Sequence, residues 1–131
     1  MGMILDTGML IAAERSDARI DFDRWSDQGD AFISAVTVSE LLVGVHRATS
    51  EDVRARRSAF VEALIARLPA LDFTAEIARV HAEIFATLST RGERIGAHDL
   101  LIAATALWHG HALATTNVGE FQRVPGLTVL S

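Results

Sequence analysis

The sequence predicts an α/β protein, a three-layer α/β/α sandwich on a central, mainly parallel sheet. Three observations predict it. Short apolar runs of strand length alternate with longer segments of helical periodicity along the 131 residues. Strands that alternate with helices imply right-handed crossovers, hence parallel strands with helices on both faces. Acidic residues recur where a strand hands over to a helix, the edge at which open α/β sheets collect ligands.

Each element has its own warrant. Met3-Ile4-Leu5 reads as a buried strand that ends at Asp6, and a helix follows from Met9 to about Glu14. By itself Asp6 would be an ordinary helix cap. Between 17 and 30, Phe22 and Trp25 share one face of a short helix, while Asp17, Asp21, Asp23, Asp27 and Asp30 face water, and Gly29 turns the chain. Residues Ala31 to Val36 form a second strand. Thr37-Val38-Ser39-Glu40 then has the form of a capping box opening a helix to about Arg47, with Glu40 in its first turn. A third long helix is capped by Ser50 and stopped by Pro69; Phe60, Val61, Leu64, Ile65 and Leu68 give it an apolar face, with Arg54, Arg56 and Arg57 on a solvated side.

Leu71-Asp72-Phe73 is a weak strand, and Thr74 caps a helix with Ile77, Val80, Ile84, Phe85 and Leu88 on one stripe. His81 flanks that stripe as a packing residue. After the glycine loop 91–96, the helix from Ala97 to Trp108 is apolar nearly all round beyond Asp99, so it is buried on several sides. An acid in the first turn of the most buried helix is not there for capping alone. His98 reads as a rim residue and His109-Gly110-His111 as an exposed turn. Ala112 to Thr115 is a further strand, with Asn117 and Glu120 just past its end, and Leu127 to Leu130 closes the chain as an edge strand after the Val124-Pro125-Gly126 turn.

Composition narrows the chemistry. At this length one domain, 1–131, buries roughly two-thirds of its unfolded surface without staples. There is no cysteine, so disulfides and thiolate metal sites are excluded, and no His-x-x-x-His pair suggests zinc. All 12 basic residues are arginine, as codon bias in a GC-rich genome would produce. The absence of lysine excludes a Schiff base, a phosphate-binding P-loop and the receiver-domain phosphorylation site, which all use one. A haloacid-dehalogenase-type phosphatase would place a second acid at position 8, which is Gly8. No run approaches the ~20 apolar residues of a membrane span, and no leader is visible; a cytoplasmic protein without membrane association is expected. With net charge −5, the chain is a poor nonspecific binder of nucleic acid. Phosphate chemistry would need added cations.

Under the predicted topology Asp6, Glu40 and Asp99 converge at one sheet edge, with Asn117 and Glu120 nearby. Clustered carboxylates disfavour one another's charged forms unless a cation intervenes. A hard divalent ion such as Mg²⁺ meets that need, drawing in a phosphodiester and activating water.

Ile4-Leu5-Asp6-Thr7, Val38-Ser39-Glu40-Leu41-Leu42-Val43-Gly44, Asp99-Leu100-Leu101-Ile102-Ala103-Ala104 and Thr116-Asn117-Val118-Gly119-Glu120-Phe121 resemble, in order and spacing, the PIN-domain ribonucleases. The likeness is greatest to the VapC toxins of bacterial toxin–antitoxin pairs and runs through Val124-Pro125-Gly126-Leu127. Each motif is short, and four in sequence make the resemblance fairly specific. The resemblance implies an Mg²⁺- or Mn²⁺-dependent endoribonuclease acting on RNA, with Asp6, Glu40 and Asp99 as metal ligands. It also implies a homodimer inhibited by a cognate VapB-like antitoxin. Surplus apolar surface at Ile77, Ile84 and Leu88, and along Leu100–Leu107, is expected to serve that dimer. Two positions depart from the pattern: Gly8 lacks the hydroxyl often found there, and the fourth acidic position is neutral Asn117, so a second metal site is either weak or borrows Glu120. The alternative reading is a non-catalytic PIN-like module that binds RNA or protein.

Overall fold

In the computed structural model, which describes residues 2–16 and 19–131, the strands form a single sheet. They are β1 (Gly2–Leu5), β2 (Asp30–Ser34), β3 (Ala70–Leu71), β4 (Ala112–Ala114) and β5 (Val129–Leu130), in the order β3-β2-β1-β4-β5. Every pairing among the described residues is parallel. The helices are α1 (Thr7–Ser16), α2 (Ala35–His46), α3 (Glu51–Arg67), α4 (Ala75–Thr90), α5 (Ala97–His109) and α6 (Val118–Phe121), with a 3₁₀ helix over Phe22–Gln28. The expected sandwich is therefore present, with a wholly parallel sheet.

Strand β1 explains the layering. Met3 and Leu5 point into one core with Leu10, Trp25, Leu41 and Val61, whereas Ile4 points into the other with Ile77, Leu88, Ile102 and Phe121. Side chains alternate across a strand, and a central parallel strand is covered on both faces, so its apolar run is continuous. Strand β4 repeats the pattern, with Ala112 and Ala114 on the first side and Leu113 on the second. From β1 the chain lays β2 and β3 to one side, and β4 and β5 later join the other. The strand order reverses between β1 and β4, which makes the crevice beyond their carboxyl ends the ligand position of the fold.

Several sequence expectations are corrected. Strand β2 stops at Ser34, whose buried hydroxyl accepts from the Val36 N–H at 3.0 Å and starts α2 at Ala35. The capping box at Thr37 is therefore absent, and Glu40 lies in the second turn of α2, where no backbone donor is left unpaired. Strand β3 is Ala70–Leu71 and not 71–73, because its partners are Ile33 and Ser34, the last residues of β2. Residues 118–121, just past β4 and assigned no element from sequence, form α6. Ile77, Ile84 and Leu88 pack in the second core with Ile102, Ala103 and Ala106 of α5, so they supply no surplus surface. The exposed large apolar side chains among the described residues are Val43, Phe85 and Trp108.

Polar positions also differ from expectation. Arg54 and Arg57 donate to the carbonyls of Ala48 and Gly44 at 3.1 and 3.0 Å, tying α3 to the end of α2, while Arg56 is solvated as expected. His111 is half-buried and not part of an exposed turn: it stacks on Phe32 and on His109 with centroids 4.9 and 5.4 Å apart, and burial lowers its pKa. Phe22 and Trp25 pack inward as read, and Asp21, Asp23, Asp27 and Asp30 are exposed; Asp17 lies outside the described residues. His81 sits between Phe73 and Phe85. No helix of the described residues is long and apolar enough to cross a membrane.

Because Ser34 and not Thr37 caps α2, Ser34→Ala should lower the unfolding free energy by about 1 kcal/mol in urea titration. An unchanged midpoint would show that the cap contributes nothing.

Candidate active site

The carboxyl end of the sheet is where polarity is buried. Asp6, Thr7, Ser34, Thr37 and Thr115 are all at most 5% exposed and lie at or just beyond the ends of β1, β2 and β4; of the buried polar side chains described, only Thr105 lies elsewhere. A core that buries polar groups must give them partners. Here nearly all partners come from within the same cluster.

Asp6 follows β1 directly and precedes α1. The Thr115 hydroxyl, just past β4, donates to Asp6 Oδ2 at 2.8 Å and accepts from the Asn117 N–H at 2.9 Å. The Asp6 backbone N–H meets the Ala114 carbonyl at 2.9 Å, so the switch point is stitched by both main chain and side chain. Asp6 Oδ1 is buried and has no hydrogen-bond partner. Burial raises the pKa of Asp6, opposed by the bonds from Thr115 and the Thr7 backbone, with Glu40 and Glu120 adding repulsion.

Glu40 reaches the site from α2. The Thr7 hydroxyl donates to its Oε1 at 2.8 Å, and His98 Nδ1 lies 3.3 Å from its Oε2. Asp99 occupies the first turn of α5, whose N-cap position, Gly96, offers no side-chain cap. Its pKa is pushed up to about 6, first by burial and then by the charges of Asp6, Glu120 and Glu40. Those four carboxylates thus share one electrostatic neighbourhood. Glu120, in α6, accepts the Gly96 N–H on Oε1 at 2.8 Å and the Asn117 side-chain amide on Oε2. A β-carbon at Gly96 would come within 3.2 Å of Asp99 Oδ2, so that carboxylate would have to give by a few tenths of an ångström, and it would make ordinary contact with Glu120 Oε1 at 3.8 Å.

All five expected site residues therefore gather at one end of the sheet, in different roles. Asp6, Glu40, Asp99 and Glu120 contribute carboxylates, whereas Asn117 ties Glu120 to the turn after β4. An open cavity of about 330 Å³ lies over Glu40, Gly96, Ala97, His98 and Asp99. Among the described residues no three acidic or histidine side chains close into a ready-made cage. Open spacing is what unneutralised carboxylates adopt when nothing offsets their repulsion. At Gly8 a β-carbon would meet only Asp6 Oδ2, at 3.7 Å, so the missing hydroxyl leaves room beside that acid.

The sequence does not single out the supporting hydroxyls of Thr7 and Thr115 or the contact of His98 with Glu40, and it assigns the Thr37 hydroxyl to a helix cap. The available signal was a threonine directly after or near each strand end, but the pairings join residues up to 109 apart in sequence.

The raised pKa of Asp99 has a consequence for stability. Between pH about 4 and about 6 the native state holds a proton that the unfolded chain, at the ordinary 3.8, has released. Stability must therefore fall as pH rises through that window. Without divalent ions, Asp99→Asn should melt higher than wild type at pH 7.5, and the gain should vanish near pH 4. A gain of equal size at both pH values would show that ionisation of Asp99 is not its source.

The PIN domain profile matches residues 3–127. Over 131 residues, covering 100% of this chain and 96% of the relative, the sequence is 41% identical to Ribonuclease VapC1 of Rickettsia felis. It is 32% identical over 125 residues, 95% of this chain and 92% of the other, to the tRNA(fMet)-specific endonuclease VapC of Shigella flexneri. Among solved structures, it is similar to that of VapBC2 from Rickettsia felis bound to a DNA fragment from their promoter, with a TM-score of 0.88, 26% identity and coverage of 98% of this chain and 97% of that one. With the acids at the switch point of a parallel sheet and the profile running along almost the whole sequence, the chain belongs to the PIN domain family.

Proposed function

We propose that residues 1–131 form a single nuclease domain, a divalent-metal-dependent endoribonuclease that acts as the toxin of a toxin–antitoxin pair in the cytoplasm. The observation that carries this reading is the convergence of Asp6, Glu40, Asp99 and Glu120 on one open crevice, with a buried oxygen of Asp6 left without a partner. The sequence relatives named VapC ribonuclease and endonuclease support RNA as the substrate.

The donor set fits a hard cation. It offers carboxylate oxygens and no thiolate, its charges repel, and Asp6 Oδ1 lacks any donor. Mg²⁺ binds through one or two carboxylates and keeps several waters, so an open arrangement suits it better than a closed cage. Asp6, Glu40 and Asp99 would hold the ion, and Glu120 is the carboxylate that a second ion would borrow where Asn117 is neutral. When bound, a divalent ion supplies charge neutralisation for the phosphodiester and lowers the pKa of water toward neutrality. The chain's own contribution is placement. Thr115 fixes one oxygen of Asp6 and so aims the other. At Gly96 the absent side chain leaves room beside Asp99 and Glu120, and the open cavity over Ala97 and His98 is where the RNA backbone would enter.

A VapB-like antitoxin is the proposed partner, as in the VapBC complexes to which the chain is similar. Silencing an acidic crevice requires a cation other than the metal, and an arginine from the antitoxin suits the carboxylates through its bidentate geometry. Self-association as a homodimer would cover Phe85 on α4 and Trp108 on α5, which are 58% and 48% exposed.

The purified chain should cleave RNA in Mg²⁺ or Mn²⁺ and not in EDTA, with tRNA(fMet) and total RNA as first substrates. Asp6→Asn, Glu40→Gln and Asp99→Asn should each lower the rate at least a hundredfold, roughly the loss seen on removing one electrostatic contributor, while remaining folded. Millimolar Mn²⁺ should raise the melting temperature of wild type more than that of Asp99→Asn, by mass action. Cleavage at the wild-type rate by Asp6→Asn or Asp99→Asn would remove that residue from the site. A wild type that binds RNA without cutting it would favour the non-catalytic module.

A further inference from the structure

Glu40 has no backbone work to do. It lies beyond the first turn of α2, so it caps nothing, and its side chain carries three rotatable torsions that must be frozen for it to aim at the site. Two groups hold it, one at each oxygen: His98 Nδ1 lies 3.3 Å from Oε2, and the Thr7 hydroxyl donates to Oε1. The second differs in kind from the first, because His98 is exposed whereas Thr7 is buried and does not stand alone. Its Oγ1 lies 2.8 Å from Oγ1 of Thr37, which is 0% exposed.

Counting protons gives this chain a direction. A hydroxyl carries one proton and two lone pairs, and an ionised carboxylate only accepts. Thr7 gives its proton to Glu40, so it has none left for Thr37. The proton between the two threonines must therefore come from Thr37, and Thr7 accepts it. Thr37 donates to Thr7, and Thr7 donates to Glu40, in a line running from the interior of the sheet edge to the acid. With each hydroxyl committed, neither can rotate without losing a hydrogen bond; the bond between the two threonines is buried, where an unpaired group carries its desolvation penalty, and the one to Glu40 is part-buried. Thr7 also meets Asp6 through its backbone, which links the placement of Glu40 to that of the first acid.

We propose that Thr37 and Thr7 are positioning residues: a directional pair of buried hydroxyls that holds the Glu40 carboxylate in place before a divalent ion arrives. The proposal rests on the metal-site reading of Asp6, Glu40 and Asp99 given above. Neither threonine need touch the ion or the RNA. Ordering Glu40 in advance removes an entropic cost from ion binding, which is where loss of the pair should be felt.

The test is Mn²⁺ affinity, measured by electron paramagnetic resonance titration of the metal-stripped full chain. Thr7→Val and Thr37→Val nearly keep side-chain shape; Thr7→Ser restores the hydroxyl without the methyl. Thr7→Val should weaken Mn²⁺ binding about tenfold, the scale of supporting-shell losses at metal sites. Thr37→Val should weaken it less, and Thr7→Ser should stay within about twofold of wild type. Crystals of metal-free Thr7→Val should show Glu40 in more than one rotamer, against one in wild type. Thr7→Val binding as tightly as wild type with Glu40 still ordered would overturn the proposal. So would Thr7→Ser binding as weakly as Thr7→Val, since packing and not the hydroxyl would then matter. Asp6→Asn separates the two levels: if it binds Mn²⁺ as wild type does, the metal-site reading fails and the positioning role falls with it. If Asp6→Asn weakens binding and Thr7→Val does not, the positioning role alone fails.

Discussion

The burial of Asp6 is the constraint on which the rest of the site depends. A carboxylate at 5% exposure is costly to hold, and its pKa is raised by burial before any neighbour is considered. The fold offsets that cost only in part. Thr115 satisfies one oxygen, the Thr7 backbone assists, and the other oxygen is left bare. Strand pairing makes the position rigid, since β1 lies between β2 and β4 and the Asp6 N–H is itself bonded across to Ala114. An acid so held cannot turn outward to find water.

Every other acid at this edge adds to the same unfavourable electrostatics. Asp99 is raised by burial and by Asp6, Glu120 and Glu40 together, so the native state is less stable at neutral pH than the same fold with neutral side chains there. Such a cost at a functional edge is the usual exchange of stability for activity. It also explains where the compensation lies. The two apolar cores, divided by the sheet, hold nearly all the large buried side chains, and the buried polar groups are confined almost entirely to one end.

That end is organised by hydroxyls more than by charge pairs. Thr115 joins Asp6 to the turn after β4, Thr7 and Thr37 join α1 to α2 and to Glu40, and Ser34 starts α2. A threonine satisfies a buried acceptor without bringing a charge of its own, so the cluster stays negative. A cluster neutralised internally by arginine would have no need of a cation. The ion pairs of the described residues lie outside the acid cluster, except for the contact between His98 and Glu40.

The sequence by itself determined the α/β class, the alternation of strands and helices, and which acids, Asp6, Glu40, Asp99 and Glu120, gather at the carboxyl edge of the sheet. Period-two and period-3.6 patterning and abrupt strand ends are local properties, legible in any window of the chain. Helices α3 and α4 were legible to their caps, because Ser50 and Thr74 act on amides three residues away. Only the tertiary structure decided where α2 begins and what Glu40 does. The capping pattern at Thr37 is chemically sound, but Ser34 took the cap, and the Thr37 hydroxyl turned inward to Thr7, thirty residues distant. It also decided that Ile77, Ile84 and Leu88 are covered within the chain, because α5 supplies the opposing surface. Glu120 became a partner of Gly96, and Asn117 its support, through the close approach of the α5 and α6 starts. Hydrogen bonds between residues far apart leave no periodic trace in sequence, and the strand order that brings them together follows from how both faces of the sheet are buried.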